Sequence, residues 1–223
     1  MKLVTVLSGG MDSATALAMV MNVYTVTELH AVTFSYGQSH EREVKCALDI
    51  LGHYGKGITS EFHQIDLTPT MSHITVKGSL TKGEEYKEEW KVPDSYVPGR
   101  NFIFLSYAIG LAVAIDCNMV VCGIHAGDSP YPDCREGAVH YMQNAFYSGT
   151  PNGVKLKVPL LHMRKKDIAK KALELGVPLE LTNTCYFPLI DGKPCLVCDS
   201  CKMRVDAFKT IGEVDPLSPE VFK

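Results

Sequence analysis

The sequence has no basic excess. Its 22 Lys and Arg stand against 25 Asp and Glu, a net charge of −3, which argues against a nucleic-acid polymer as the main ligand. No run approaches the roughly 20 apolar residues of a membrane span. No basic stretch followed by a long apolar run precedes the first strand-like segment, so the expected location is the cytoplasm. Internal repeats and low-complexity tracts are also missing. Two familiar phosphate-binding signatures are absent as well: there is no G-x-x-x-x-G-K-[ST] and no third glycine of a dinucleotide fingerprint.

What is present is an ordinary globular composition, 46% hydrophobic and 21% charged over 223 residues. That length suits one large α/β domain, or one domain plus a small appendage. Strand-like runs near 3–7, 29–35, 61–66, 119–123 and 155–158 alternate with helical patterns near 12–21, 39–54, 102–116, 135–147, 165–175 and 200–211. Alternation of this kind predicts βαβ units, hence a parallel sheet with helices on both faces and ligands at the C-terminal strand ends. Gly176-Val177-Pro178 ends the 165–175 helix in the expected way. Residues 68–99, with the charged stretch Lys82–Trp90 and three prolines, fit no regular element. They read as a solvated loop or helix, or as a mobile lid.

The first strand runs into Ser8-Gly9-Gly10, and a helical pattern begins at Met11. A strand, a glycine turn and a helix N-terminus in succession expose backbone N–H groups and a positive dipole end to an anion. Two glycines suit close approach and φ > 0. Ser8–Ser13 resembles the SGGxDS loop of the ATP-pyrophosphatase (PP-loop) superfamily. The resemblance implies cleavage of ATP between the α and β phosphates, with AMP left on a substrate oxygen.

Eight cysteines divide into two groups. Cys46, Cys117, Cys122 and Cys134 are scattered, and Cys117 and Cys122 sit in an apolar stretch as small buried hydrophobes. Cys185, Cys195, Cys198 and Cys201 follow the spacing C-x9-C-x2-C-x2-C. Four thiolates at this spacing close a tetrahedral Zn²⁺ site with no open position, so its role is structural. An iron–sulfur cluster uses the same number of cysteines.

Three more segments fall near strand ends: Phe34–Glu41, Val97–Phe102, and Gly123–Asp128 followed by Tyr131–Glu136. Asn101 or Gly99 suits the cap of the 102–116 helix, and Arg100 can bind an anion bidentately. With the loop and the cysteine tail, five motifs in order resemble the 7-cyano-7-deazaguanine synthase family over Leu3 to about Ala207. They are SGGxDS at Ser8–Ser13, FxYGQxH at Phe34–His40, VPGRN at Val97–Asn101, YPDCR at Tyr131–Arg135, and the Cys-rich tail from Thr184. The chain departs from that family's usual pattern at Glu136-Gly137-Ala138-Val139 and at His125-Ala126-Gly127-Asp128.

The resemblance implies an adenine nucleotide alpha hydrolase-like (HUP, Rossmann-like) domain over 1–180 and a zinc-binding segment over 181–223 packed on it. It implies ATP-dependent conversion of 7-carboxy-7-deazaguanine and ammonia to the nitrile through adenylated carboxylate and amide. Alternatives are a reaction that stops at the amide, a tRNA-thiolation enzyme of the same superfamily, or a zinc-ribbon binding module. ATP, Mg²⁺ and Zn²⁺ are the expected cofactors, and a homodimer that needs no nucleic acid is the expected assembly. The ATP site is expected at Leu7, Ser8, Gly9, Gly10, Met11, Asp12, Ser13, Phe34 and Gly99. Ser8, Asp12, Lys165 and Arg100 are the expected catalytic set. Asp12 is read either as a helix cap or as a Mg²⁺ ligand, and Lys165 as a phosphate partner or a surface lysine. Tyr36, Gln38, His40, Arg100, Asn101, Asp128, Tyr131, Asp133 and Arg135 are the expected substrate-binding residues. Of these, Asp128 or Asp133 would read a guanine-like edge, and His40 would act as an acid–base group or a helix cap.

Overall fold

A computed structural model describes residues 1–37, 41–74, 88, 91–93, 95–189 and 192–222, with the side chain of residue 41 set aside. Gln38, His40 and most of the stretch Lys82–Trp90 lie outside the described residues, so the expectations placed on them have no structural counterpart here.

Five strands, β1 (Lys2–Val6), β2 (Glu28–Ser35), β3 (Thr59–Asp66), β4 (Met119–Val121) and β5 (Lys155–Lys157), form one sheet in the order β3-β2-β1-β4-β5. Every pairing is parallel. The helices are α1 (Met11–Val23), α2 (Glu41–Tyr54), the single turn α3 (Thr68–Met71), α4 (Arg100–Ala114), α5 (Glu136–Gly149), α6 (Lys165–Glu174) and α7 (Asp199–Ile211). The expected elements are present, with ends shifted by a residue or two; the added element, α3, is too short to show a helical period.

Parallel strands covered on both faces must be apolar on both, and β1 shows it. Leu3 packs with Leu17 of α1, Ile50 of α2, Ile168 of α6 and Phe208 of α7. Its neighbour Val4 points the other way, to Leu105 and Ala108 of α4 and Val139 of α5. Phe208 is fully buried, so truncating it to alanine should cost about 3–5 kcal/mol. Helix α6 stops where the glycine signal placed its end. Gly176 takes φ +62, Val177 N–H donates to Ala172 O at 2.9 Å, and Gly176 N–H donates to Leu173 O at 3.1 Å. These two bonds satisfy the last carbonyls in a Schellman arrangement.

Strand order builds the site. The chain lays strands outward from β1 through β2 to β3, then returns to add β4 and β5 on the other side. The crevice outside the carboxyl ends of β1 and β4 is therefore a topological switch point, where such sheets bind ligands. Gly123, just past β4, lets the two ends close up: a Cβ there would lie 2.7 Å from Asp12 C and Ser13 N in α1. No described helix is long and apolar enough to cross a membrane.

Candidate functional site

The turn after β1 departs from the expectation in one respect. Gly9 takes φ +79, and a Cβ on it would lie 2.4 Å from the backbone oxygen of Glu43 in α2. Gly10 is extended, φ −86 and ψ 163, and caps α1. Only the first glycine uses the left-handed region; the second marks the start of the helix. Around them, Ser13 Oγ donates to Gly10 O at 3.0 Å and accepts from Ser8 N–H at 3.2 Å. The Ser8 and Ser13 hydroxyls lie 3.1 Å apart. The turn is thus held by its own side chains, with the α1 N-terminus facing the crevice.

Asp12 does not cap α1. Lys165, at the start of α6, grips both of its oxygens, at 2.6 and 2.7 Å. Burial pushes the Asp12 carboxyl up, but Lys165 and then His125 outweigh it and hold the group below the ordinary carboxylate range. Lys165 is buried, so it is no surface lysine. His125 Nε2 lies 3.7 Å from Asp12, while its Nδ1, 3.2 Å from Asp128, lacks hydrogen-bond alignment. Burial lowers the affinity of His125 for a proton despite these acids.

This cluster forms one wall of a cavity of about 270 Å³. Leu7, Ser8, Gly10, Met11, Asp12, Ser13 and Lys165 line that wall. Another part of the lining carries Phe34, Tyr36, Arg100, Asn101 and Tyr131. Arg100 Nη1 donates to Tyr36 Oη at 3.1 Å, and its guanidinium lies 5.8 Å from the Tyr131 ring centre. Burial works against its charge, yet the phenolic groups of Tyr36 and Tyr131 keep its proton affinity above the ordinary value. Phe34 stacks on Phe104 with centroids 4.2 Å apart. The cavity therefore holds a helix N-terminus with an Asp–Lys pair together with an aromatic group around a buried arginine.

Besides Gly9, which packs against α2 and does not line the cavity, four expected site residues lie elsewhere. Asp133 is 3% exposed and accepts from the backbone N–H of Asn101 at 3.1 Å. It caps α4 across 32 residues, so neither Asn101 nor Gly99 does so with a side chain. Gly99, at φ +67, shapes the entry to α4 and does not line the cavity. Asp128 accepts from Lys165 N–H at 2.9 Å, satisfying the first turn of α6. Arg135 is exposed at the N-terminus of α5, outside the cavity.

Sequence reasoning missed several lining residues. Glu43 faces the cavity near Arg100, and burial raises its carboxyl to about 7 although Arg100 pulls the other way. Asn183, Thr184, Tyr186 and Ser200 join the wall from the cysteine-rich segment. Their only signal was adjacency to the cysteines. Arg204 of α7 is the hidden tie here. It donates bidentately to buried Asp215 at 2.7 and 2.8 Å, and to the hydroxyls of Thr182 and Thr184 at 2.8 and 2.9 Å.

The thiol groups of Cys185, Cys195, Cys198 and Cys201 all lie within 4.8 Å of one another. Four Zn–S bonds of about 2.3 Å put sulfurs about 3.8 Å apart, so the cluster fits a tetrahedral ion. Backbone N–H groups of Phe187 and Cys195 donate to Cys185 Sγ at 3.3 and 3.2 Å, and that of Cys198 to Cys195 Sγ at 3.4 Å. Such bonds stabilise thiolates. Between Cys195 and Cys198, Leu196 takes φ +62, a conformation tolerated where the surroundings enforce it.

A sequence model of the family described as "Queuosine biosynthesis protein QueC" matches residues 2–212. The 7-cyano-7-deazaguanine synthase of Syntrophus aciditrophicus is 39% identical, covering 98% of this chain and 97% of its own. That of Nostoc punctiforme is 38% identical over 97% and 99%, and that of Thermoplasma volcanium 38% over 97% and 90%. A solved 4-thiouridine synthetase in complex with RNA and ATP shares the fold, with TM-score 0.54 at 20% identity over 94% of this chain and 53% of that one. Full-length similarity on this scale, laid over a glycine turn, an Asp–Lys pair and a four-cysteine cluster, has one reading: the chain belongs to the QueC family of 7-cyano-7-deazaguanine synthases.

Proposed function

We propose that this enzyme converts 7-carboxy-7-deazaguanine, ammonia and ATP to 7-cyano-7-deazaguanine. The carrying observation is that Asp12–Lys165, the α1 N-terminus and the Arg100–Tyr36–Tyr131 group line one cavity. A nucleotide's phosphates suit the first two, and a planar, acidic base suits the third. Arginine can pair with a carboxylate and stack on aromatic faces at once.

A carboxylate needs activation because oxide is a poor leaving group. Attack of a substrate carboxylate oxygen on the α-phosphorus expels pyrophosphate. Ammonia then displaces AMP to give the amide. Attack by the amide oxygen on a second ATP expels pyrophosphate again, and loss of AMP and protons leaves the nitrile. Both attacks need the same charge stabilisation, so one loop serves twice. Lys165 and the α1 N–H groups meet the phosphate charge. Ser8 and Ser13 offer hydroxyl donors. Glu43, poised near neutrality, can take the protons that ammonia and amide release.

The carboxylate oxygens of Asp12 suit Mg²⁺, which would neutralise phosphate charge. The four thiolates suit Zn²⁺, which would hold residues 181–223 against the domain. The test is pyrophosphate release from ATP with the carboxylated base and ammonium, without RNA, with mass spectrometry of the product. Two pyrophosphates per nitrile support the reading. An amide end product, or turnover only with RNA, overturns it.

A further inference from the structure

Far from the cleft, on the outer part of the sheet, three ligand-type side chains converge. His30 of β2 and Glu61 of β3 are register partners, and His63 follows two residues along β3 on the same face. Their ligand atoms lie within 4.8 Å of one another. His30 Nδ1 is 3.0 Å from His63 Nε2 and 3.6 Å from Glu61 Oε2, and His63 Nε2 is 3.8 Å from Glu61 Oε1. A tetrahedral ion with bonds of 2.0–2.2 Å separates its ligands by about 3.4 Å. The three separations, with either Glu61 oxygen as the third ligand atom, lie close to that value.

The outer contacts orient the ring. His30 Nε2 lies 2.9 Å from Glu28 Oε1. A carboxylate can only accept, so His30 carries its proton on Nε2 and turns the Nδ1 lone pair towards His63. A carboxylate behind a ligating imidazole is the usual support of a metal-bound histidine. His30 is buried, its side chain 5% exposed, whereas Glu61 is 62% exposed. The cluster therefore has a fixed inner ligand and an open outer side. Phe34, at the cleft end of β2, is four residues from His30, about 13 Å along the strand, so this cluster has no part in the phosphate site.

We propose that His30, Glu61 and His63 form a second metal site, for a divalent transition ion such as zinc, that ties the edge strand β3 to β2. Two imidazoles and one carboxylate favour zinc, cobalt or nickel over magnesium or calcium. The open side leaves room for water as a fourth ligand. In the absence of an ion, the His63 Nε2 proton bridges to His30 Nδ1; binding takes the other tautomer of His63, with its proton on Nδ1.

The test titrates the full-length protein with Co²⁺ alone and follows the visible spectrum and the stoichiometry. Two equivalents are expected, one with thiolate charge-transfer bands from the cysteine cluster and one with weaker ligand-field bands only. His63→Ala should remove the second class, weakening it more than about 100-fold, while Glu28→Gln should weaken it about 10–100-fold. Glu61→Gln, at an exposed position that cannot threaten the fold, should weaken it and leave the thiolate bands unchanged. A single equivalent in the native protein, or a second class untouched in both His63→Ala and Glu61→Gln, overturns the proposal.

Discussion

The backbone N–H of Asn183 donates to the carbonyl of Gly9 at 2.8 Å. The Ser8–Ser13 loop is thereby bonded to the chain two residues before the first cysteine of the cluster. Arg204 secures the same stretch through Thr182 and Thr184. The cysteine segment is therefore part of the scaffold of the cleft.

Cys198→Ser should lose the metal, fold stability and pyrophosphate release together. Cys198 does not line the cavity, so loss of turnover would come through Asn183 and Thr184. Structural zinc sites carry about 10–16 kcal/mol of apparent binding energy at neutral pH, and that energy is folding energy. Elemental analysis, thermal unfolding and pyrophosphate assay check it. Zinc content in the variant unchanged from that of the native protein, or iron in the native protein, contradicts the four-thiolate zinc site.

The two glycines of the loop should respond differently. Gly9→Ala meets a backbone oxygen at 2.4 Å and a positive φ, and should cost at least about 2 kcal/mol. Gly10→Ala finds its nearest atoms at 3.4 Å in an ordinary extended conformation, and should fold normally. Chemical denaturation of the two variants distinguishes them. Equal destabilisation would mean that the loop is not held against α2 as described.

What was legible in the sequence was what local spacing encodes. A strand, two glycines and a helix start lie within a dozen residues, and three of the four cysteines within seven. Their placement needs no knowledge of the rest of the chain. Asp133 shows where that stops. The motif Tyr131–Arg135 names an acid near a strand end but not its direction. Pro132 opens a single tight turn that points Asp133 inward, beneath Asn101. Lys165 and Asp12 are 153 residues apart, so neither shows its partner. Glu43 has an ordinary helical neighbourhood in sequence, and its raised proton affinity is a property of the closed cavity alone.

Asp133→Ala should therefore act on stability. It leaves the Asn101 N–H without its partner in a part-buried place, a cost of about 1 kcal/mol, read as a fall in Tm of about 2–4 °C per kcal/mol for a chain of this size. Arg135→Ala should change Tm and base binding little, because its side chain is exposed outside the cavity. Thermal unfolding and calorimetry with the carboxylated base check both. Strong loss of base binding in Arg135→Ala would restore this segment to the substrate site.

Glu43 makes stability depend on pH in an unusual direction. Its carboxyl titrates near 7 in the folded protein against 4.5 as the unperturbed value, chiefly because it is buried. Between about pH 4.5 and 7 the unfolded chain has released this proton and the folded chain has not. The folded state binds more protons there, so this group's contribution to stability falls as pH rises, and levels off above 7. Below 4.5 both states are protonated and the penalty vanishes. Glu43→Gln keeps the shape and removes the titration. The variant should match the native protein near pH 4.5 and exceed it at pH 8 by an amount on the order of 3 kcal/mol. Urea denaturation of both proteins across that range measures the difference. A gap that is flat with pH would show Glu43 to be solvated and ordinary, and would remove the basis for giving it the protons of the ammonia step.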